Sequence, residues 1–185
     1  YEIYKPTVPK DFNYLTLAGK PDLKNQFFNK YKNSIRFLDY NLVRFLKAAS
    51  KKMDNNLVVS LIGDHGEEFW EKGFHGHSGA TLIKEKVESP WILCDLKNKN
   101  LKSKVPITNH IDIFPSLLSI LFPEENFQGK FNGSSIFRPN PYPYSVVETP
   151  LFPYNKERVL LVRGNTKFYL EKTSKKLHDL NLYKV

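Results

Sequence analysis

The sequence contains a single cysteine, Cys94, and no long apolar run. One thiol excludes an internal disulfide framework. A membrane-spanning helix needs roughly 20 apolar residues, and no stretch of the chain approaches that length. The chain also lacks a Cys-x-x-Cys pair, a glycine-rich phosphate loop and, around Ser60 and Ser78, the strained elbow of a serine hydrolase. These absences leave the histidine-containing segments as the strongest candidates for a functional site.

The charge of the chain is spread along its length. A net charge of +9 on 185 residues is carried mostly by scattered lysines, a pattern that favours a solvated surface over a nucleic-acid site. Basic and aromatic residues do not alternate as in single-strand binders, so no nucleic-acid partner is expected. The positive net charge is also compatible with binding to anionic surfaces, including lipid headgroups. The aromatic share of 14% indicates a packed core, and the length suits one domain or half of a larger one.

An apolar run over residues 57–62 precedes two potential metal ligands, Asp64 and His65. Such a run predicts a strand buried on both faces, as in a parallel sheet, and ligands bind at the carboxyl ends of such strands. His75 and His77 follow on a glycine-flanked loop, so three of the five histidines fall within thirteen positions. Carboxylate and imidazole groups are the usual ligands of zinc-like ions. The segment therefore predicts a divalent-metal site.

Structural roles are the alternative for these polar residues. An Asp-His pair at a strand end is also compatible with an N-cap beside a buried, hydrogen-bonded histidine without metal. Glu67 and Glu68 are interpreted as charges at the start of a helix, where acidic residues are favoured. His110 and His178 are lone histidines beside apolar runs and are interpreted as structural.

The remaining pattern predicts an α/β fold with these elements. A helix over residues 22–51 is expected to pack on a sheet through an apolar face consisting of Phe28, Tyr31, Ile35, Leu38, Leu42 and Phe45. Residues 90–94 predict a second buried strand, and a helix capped near Asp112 runs through Phe122. Strands are expected at 145–148, 158–163 and 166–171, the last two forming an antiparallel hairpin around Gly164-Asn165.

Six segments, in this order, resemble the sulfatase-like branch of the alkaline phosphatase superfamily. They are residues 31–39, residues 62–68 with 73–77, residues 89–93, residues 110–118, residues 132–135 and residues 176–180. The fit is closest to the envelope-anchored members, namely lipoteichoic-acid synthases, phosphoethanolamine transferases and inner-membrane sulfatase-like lipid regulators. The resemblance implies the C-terminal half of a mostly parallel sheet flanked by helices, with a small antiparallel region at its end. Residues 1–21 would be an irregular connection, 22–122 the metal-site core and 123–185 a loop plus C-terminal strands.

The resemblance also implies roles for individual residues. Asp64 and His65 match the ligands of the catalytic metal, a divalent Zn, Mn, Mg or Ca ion. His77 matches the residue that contacts and acts on the phosphate or sulfate group. His75 is a further substrate-binding candidate, although it has no firm family counterpart.

The family requires an N-terminal half that supplies an Asp or Glu ligand and a nucleophilic Thr, Ser or formylglycine-forming Cys. Nothing in this sequence matches that half, and Cys94 lacks the Cys-x-Pro-x-Arg signature. The resemblance therefore implies that the chain is the C-terminal portion of an enzyme and is inactive without the missing half. The parent would be a sulfatase, phosphatase or phosphotransferase acting on a phosphate or sulfate ester, including a lipid headgroup.

The envelope-anchored members imply a location on the extracytoplasmic face of a cell envelope. The parent would be membrane-anchored, while the chain itself is expected to be soluble. The alternative function is a non-catalytic sulfatase-like module that binds an anionic lipid or a partner protein.

Overall fold

The computed structural model describes residues 2–13, 20–77, 82–97, 100–139, 144–151, 156–173 and 176–184. The chain divides into two compact units. The first contains the described residues up to 77 together with 83–97, and the second contains residue 82 and the described residues from 100 onward. The helices are α1 (Lys24–Lys52), α2 (Lys84–Val87) and α3 (Ile113–Leu121). The strands are β1 (Val58–Ile62), β2 (Glu68–Phe69), β3 (His75–Gly76), β4 (Trp91–Asp95), β5 (Tyr144–Leu151), β6 (Lys156–Arg163), β7 (Thr166–Thr173) and β8 (Lys176–Lys184).

The long helix α1 confirms the helix predicted over residues 22–51. A 3-10 turn, Pro21–Leu23, leads into it, and proline suits this position because a first-turn amide has no helical acceptor. Beyond its end, Asp54 and Asn55 adopt φ values of 47° and 58°, a region that Asn and Asp tolerate better than most residues. This turn leads the chain from α1 into β1.

The predicted packing of the apolar face of α1 is wrong over most of its length. Ile35 is 47% exposed and Leu38 is 54% exposed. Near its start the helix does reach an apolar partner, because the rings of Phe28 and Tyr31 each lie 4.9 Å from that of Phe69. A periodicity of 3.6 residues creates an apolar stripe, but another element must be present to cover it.

The segment 2–13, predicted to be irregular, contains no helix or strand and is fastened to α1 by Asn33. The buried Asn33 side chain accepts hydrogen bonds from the amides of Ile3 and Tyr4, at 3.0 and 3.1 Å. Its Nδ2 atom donates to the carbonyl of Tyr4 at 3.0 Å. A buried amide side chain needs such partners, and here the segment supplies them.

Strand β1 pairs with β4 in antiparallel register, from Val58 opposite Asp95 to Ile62 opposite Trp91. Every ladder among the described residues is antiparallel, so the predicted mostly parallel sheet is not confirmed. The prediction that β1 is buried on both faces is wrong, since all five of its residues are half-buried. Within the described part of the chain β1 has one hydrogen-bonded neighbour, which leaves it incompletely covered.

In the second unit, α3 confirms the helix predicted through Phe122. A 3-10 turn, His110–Asp112, precedes it, and Asn109 and Asp112 form a reciprocal capping box. The buried Asp112 carboxylate accepts hydrogen bonds from the amides of Asn109 and Ser134, both at 2.8 Å. The Ser116 hydroxyl donates to the Asp112 carbonyl and accepts from the Ile136 amide. These bonds hold the loop around residue 134 against the start of α3.

Strands β5 to β8 form an antiparallel sheet in chain order. The predicted hairpin is confirmed, because β6 and β7 pair from Lys156 opposite Thr173 to Arg163 opposite Thr166. Gly164 in the turn has a φ of 56°, which glycine adopts without a steric penalty. The described residues 123–139 contain no helix or strand, as expected for a loop.

Candidate metal centre

The loop after β1 is held closely against the segment that carries α2. The Gly63 amide donates to the Pro90 carbonyl at 3.1 Å, and the Gly66 amide donates to the Lys86 carbonyl at 2.8 Å. A Cβ atom on Gly66 would lie 2.0 Å from the Glu85 carbonyl oxygen, so only glycine fits there without a backbone shift. This close approach fixes both ends of the short stretch that carries Asp64 and His65.

Glu68 is a buried structural anchor. Its side chain is fully withdrawn from solvent, and Oε2 lies 2.9 Å from Nζ of Lys86, which is also buried. Its other oxygen, Oε1, accepts hydrogen bonds from the amides of Lys72 and Phe74 at 2.9 and 3.2 Å. Burial of a carboxylate requires such pairing. The carboxylate therefore holds the loop between β2 and β3 in place.

The interpretation of Glu67 and Glu68 as helix-start charges is wrong. No helix begins there, and Glu68–Phe69 is a strand that pairs with His75–Gly76. In a sequence, two adjacent acidic residues are compatible both with the start of a helix and with a short strand. Glu68 is buried because it forms an ion pair with Lys86. That residue lies 18 positions further along the chain, outside any short window around Glu68.

The β2–β3 hairpin returns the chain to the end of β1. Its loop includes two left-handed residues, Trp70 at φ 62° and Gly73 at φ 88°. The rings of His65 and His77 consequently lie with centroids 4.1 Å apart and planes tilted by 31°. The structure therefore brings together two histidines that the sequence predicted to share a site.

Asp64 and His65 face each other across a short gap. Asp64 Oδ2 lies 3.6 Å from His65 Nε2, and the Asp64 side chain is 88% exposed. His65 Nδ1 lies 2.8 Å from the Gly66 carbonyl, and a carbonyl only accepts, so Nδ1 carries the proton. In a neutral ring Nε2 then presents a lone pair towards the carboxylate. Two electron-rich atoms facing each other are stabilised by a cation between them.

The neighbouring carboxylate of Glu67 contacts His77. Oε2 of Glu67 lies 3.0 Å from His77 Nδ1, and the Glu67 side chain is 19% exposed against 54% for His77. One ligand atom each from His65, Glu67 and His77 lie within 4.8 Å of one another, a spacing that suits a shared metal ion. Sequence reasoning missed Glu67. The sequence signal that could have identified Glu67 is its position two residues after His65.

His75 points to a different environment. Its ring stacks on the indole of Trp70, with centroids 5.0 Å apart and planes 25° apart, and the residue is half-buried. Among the described residues it is not a member of the group that offers metal-ligand atoms. A role of His75 in substrate binding stays a prediction.

The model of the sulfatase family matches residues 4–121, more than half of the chain. The chain belongs to the sulfatase family. The matched region includes all four predicted site residues of this sulfatase-family chain. A comparison with curated protein sequences finds no match. Membership indicates hydrolase-type enzyme activity, and sulfatases generally use divalent metal ions.

The donor atoms of this sulfatase-family chain fit such an ion. Donors at about 2.0–2.1 Å from a tetrahedral metal lie about 3.3 Å from each other. The 3.6 Å separation of Asp64 Oδ2 and His65 Nε2 is close to that value. Hydrogen bonding of the second ring nitrogen to a backbone carbonyl, as in His65, is the usual arrangement of metal-bound histidine.

Among the residues that the structure describes, no helix has both the length and the apolar character that crossing a bilayer requires.

Proposed function

We propose that this chain is the C-terminal portion of a metal-dependent sulfatase-family enzyme that hydrolyses a phosphate or sulfate ester or transfers its phospho group. The observation that carries the proposal is that His65, at the end of β1, lies close both to the carboxylate of Asp64 and to the ring of His77. Oδ2 of Asp64 lies 3.6 Å from Nε2 of His65, and the ring centroids of His65 and His77 lie 4.1 Å apart. A carboxylate with imidazoles is a donor set for zinc-like ions.

Asp64 and His65 would hold the divalent ion. When bound, such an ion stabilises negative charge on the nucleophile and on the transferring group. The exposure of Asp64, at 88%, leaves the site open on the side from which substrate and further ligands approach. Two ligands fall short of the three or four that zinc sites use, so the set is completed from elsewhere.

His77 would act on an oxygen of the ester. Its Nδ1 atom lies beside Glu67, so a proton at Nδ1 leaves Nε2 as the atom that meets substrate. Protonated at Nε2 as well, the ring donates a hydrogen bond to an anionic ester oxygen. The nucleophile, a Thr, Ser or modified Cys, would come from an N-terminal half of the same enzyme, and the extracytoplasmic face is the proposed location.

Zinc titration of the full-length enzyme followed by calorimetry tests the metal assignment. Wild-type protein is expected to bind zinc ion, and the Asp64→Ala and His65→Ala variants should weaken binding by at least about tenfold, because each removes a ligand. Asp39→Ala, an exposed aspartate on α1, is the matched control and should bind as wild type. Equal affinities in all variants would contradict the metal assignment.

Kinetics of the full-length enzyme test the catalytic assignment. His77→Ala should lower kcat by about 10²–10⁴-fold while the metal stays bound, because a positioned proton-transfer group contributes that much. Asp64→Ala should remove both metal and turnover. If neither change alters activity, or if the full-length protein has no turnover, the non-catalytic module that binds an anionic lipid or protein becomes the better account.

A further inference from the structure

We infer that Glu67 is a positioning residue that fixes the ring of His77, so that Nδ1 carries a proton and Nε2 faces the ester. This inference rests on the proposed function of His77, but its geometry stands independently. The sequence pattern and the family match assign no role to Glu67.

The hydrogen bond between Glu67 and His77 joins a mostly buried carboxylate to a more exposed imidazole ring. Glu67 Oε2 lies 3.0 Å from His77 Nδ1, with the Glu67 side chain 19% exposed and the His77 side chain 54% exposed. An ionised carboxylate has acceptors only, so the hydrogen in this bond belongs to Nδ1. The hydrogen bond on one ring nitrogen determines which nitrogen carries the proton. Nε2 of the neutral ring is therefore left with its lone pair.

The backbone on both sides of Glu67 is fixed. The Gly66 amide donates to the Lys86 carbonyl at 2.8 Å, and no side chain fits at Gly66. On the other side the Glu68 carboxylate forms a buried ion pair with Lys86, at 2.9 Å. Glu67 therefore reaches His77 from a rigid support, as a group that orients another side chain must.

A direct metal contact by Glu67 is the competing role, since its carboxylate lies within 4.8 Å of ligand atoms of His65 and His77. The two roles differ in the state of His77 Nδ1. A ligand role for Nδ1 requires an unprotonated nitrogen, whereas the 3.0 Å contact with a carboxylate requires a proton there. The hydrogen bond favours the positioning role.

Long-range ¹H–¹⁵N spectra of the histidine rings in the metal-free chain test the inference. In wild-type protein the ¹⁵N shifts should report His77 with its proton on Nδ1. Glu67→Ala should move the proton to Nε2, and Glu67→Gln should retain it on Nδ1, because the amide oxygen still accepts. Glu85→Ala, an exposed glutamate of α2, is the control. If His77 keeps the Nδ1 proton in Glu67→Ala, the inference is wrong. Backbone amide signals in the same samples verify that each variant is folded.

Zinc titration separates this inference from the proposed function. Glu67→Gln should bind zinc within about threefold of wild type, and a loss as large as that in Asp64→Ala would overturn the positioning role in favour of direct ligation. In the full-length enzyme Glu67→Ala should lower kcat by about 10–100-fold, with substantial rescue in Glu67→Gln. If Asp64→Ala leaves zinc affinity unchanged while the His77 proton follows Glu67, the proposed function fails and the positioning contact stands.

Discussion

The ammonium group of Lys86 lies 2.9 Å from Oε2 of Glu68, and the two side chains are 4% and 0% exposed. The pair joins the segment of α2 to the hairpin that carries His75 and His77. Glu68 Oε1 meanwhile accepts from two amides of the hairpin loop. Removal of either partner leaves a buried charge without compensation, which costs more than the pair itself contributes.

Lys86→Met should lower the free energy of unfolding by about 3–5 kcal/mol, because it strands the Glu68 carboxylate in the interior. Urea denaturation measures the change. The control is Lys84→Met, which removes an exposed pair with Glu88 at 3.7 Å and should cost about 0–1 kcal/mol. Comparable losses from the two substitutions would show that the Glu68–Lys86 pair is solvated in solution.

Phe69→Ala should cost about 3–5 kcal/mol, the usual range for deleting a buried aromatic ring. Phe69 is 5% exposed and contacts the rings of Phe27, Phe28 and Tyr31. Leu38→Ala, on the exposed part of α1, should stay within about 0.5 kcal/mol of wild type. Urea melts of the two variants make the comparison. A loss of more than 2 kcal/mol in Leu38→Ala would mean that the apolar face of α1 is covered in solution.

Asp112→Ala should destabilise the chain by about 2–4 kcal/mol. It removes the N3 half of the capping box before α3 and leaves the amides of Asn109 and Ser134 without their acceptor. Glu124→Ala is the control, since that side chain is exposed in the loop after α3 and its loss should be nearly neutral. Thermal unfolding followed by circular dichroism distinguishes the two. Equal midpoints would refute the role assigned to the carboxylate.

Arg158→Met should cost about 1.5–3 kcal/mol, as expected for loss of a hydrogen bond between charged groups. Nε of Arg158 donates to Glu171 across the β6–β7 ladder at 2.9 Å, and both side chains are about one-fifth exposed. The matched control is Arg163→Met, at the exposed end of β6. Denaturant titration is the measurement, and a smaller loss in Arg158→Met than in Arg163→Met would contradict the prediction.

Local signals explain what the sequence could predict. The helix after Pro21 and the hairpin at Gly164 each depend on residues within a few positions, and both are present in the structure. The direction of a strand partner is not a local property. The apolar run in β1 was therefore compatible with a parallel neighbour, whereas the observed neighbour, β4, is antiparallel.

The site was predicted in part for the same reason. Asp64, His65 and His77 have the residue types and glycine spacing of a ligand-binding loop, so their proximity could be expected. The contacts of Glu67 with His77 and of Glu68 with Lys86 span ten and eighteen positions. They depend on how the hairpin folds back, which no short sequence window contains.

The bonds that α3 and the 3-10 turn before it make to the loop around residue 134 have a consequence for local opening. The amides of Ser134 and Ile136 donate to the Asp112 carboxylate and the Ser116 hydroxyl, although neither amide lies in a helix or strand. Exchange of these two amide hydrogens with solvent deuterium therefore requires that their hydrogen bonds to the Asp112 and Ser116 side chains break. Loop and helix would then open as one cooperative unit, so this irregular segment shares the protection of the helix against exchange and proteolysis.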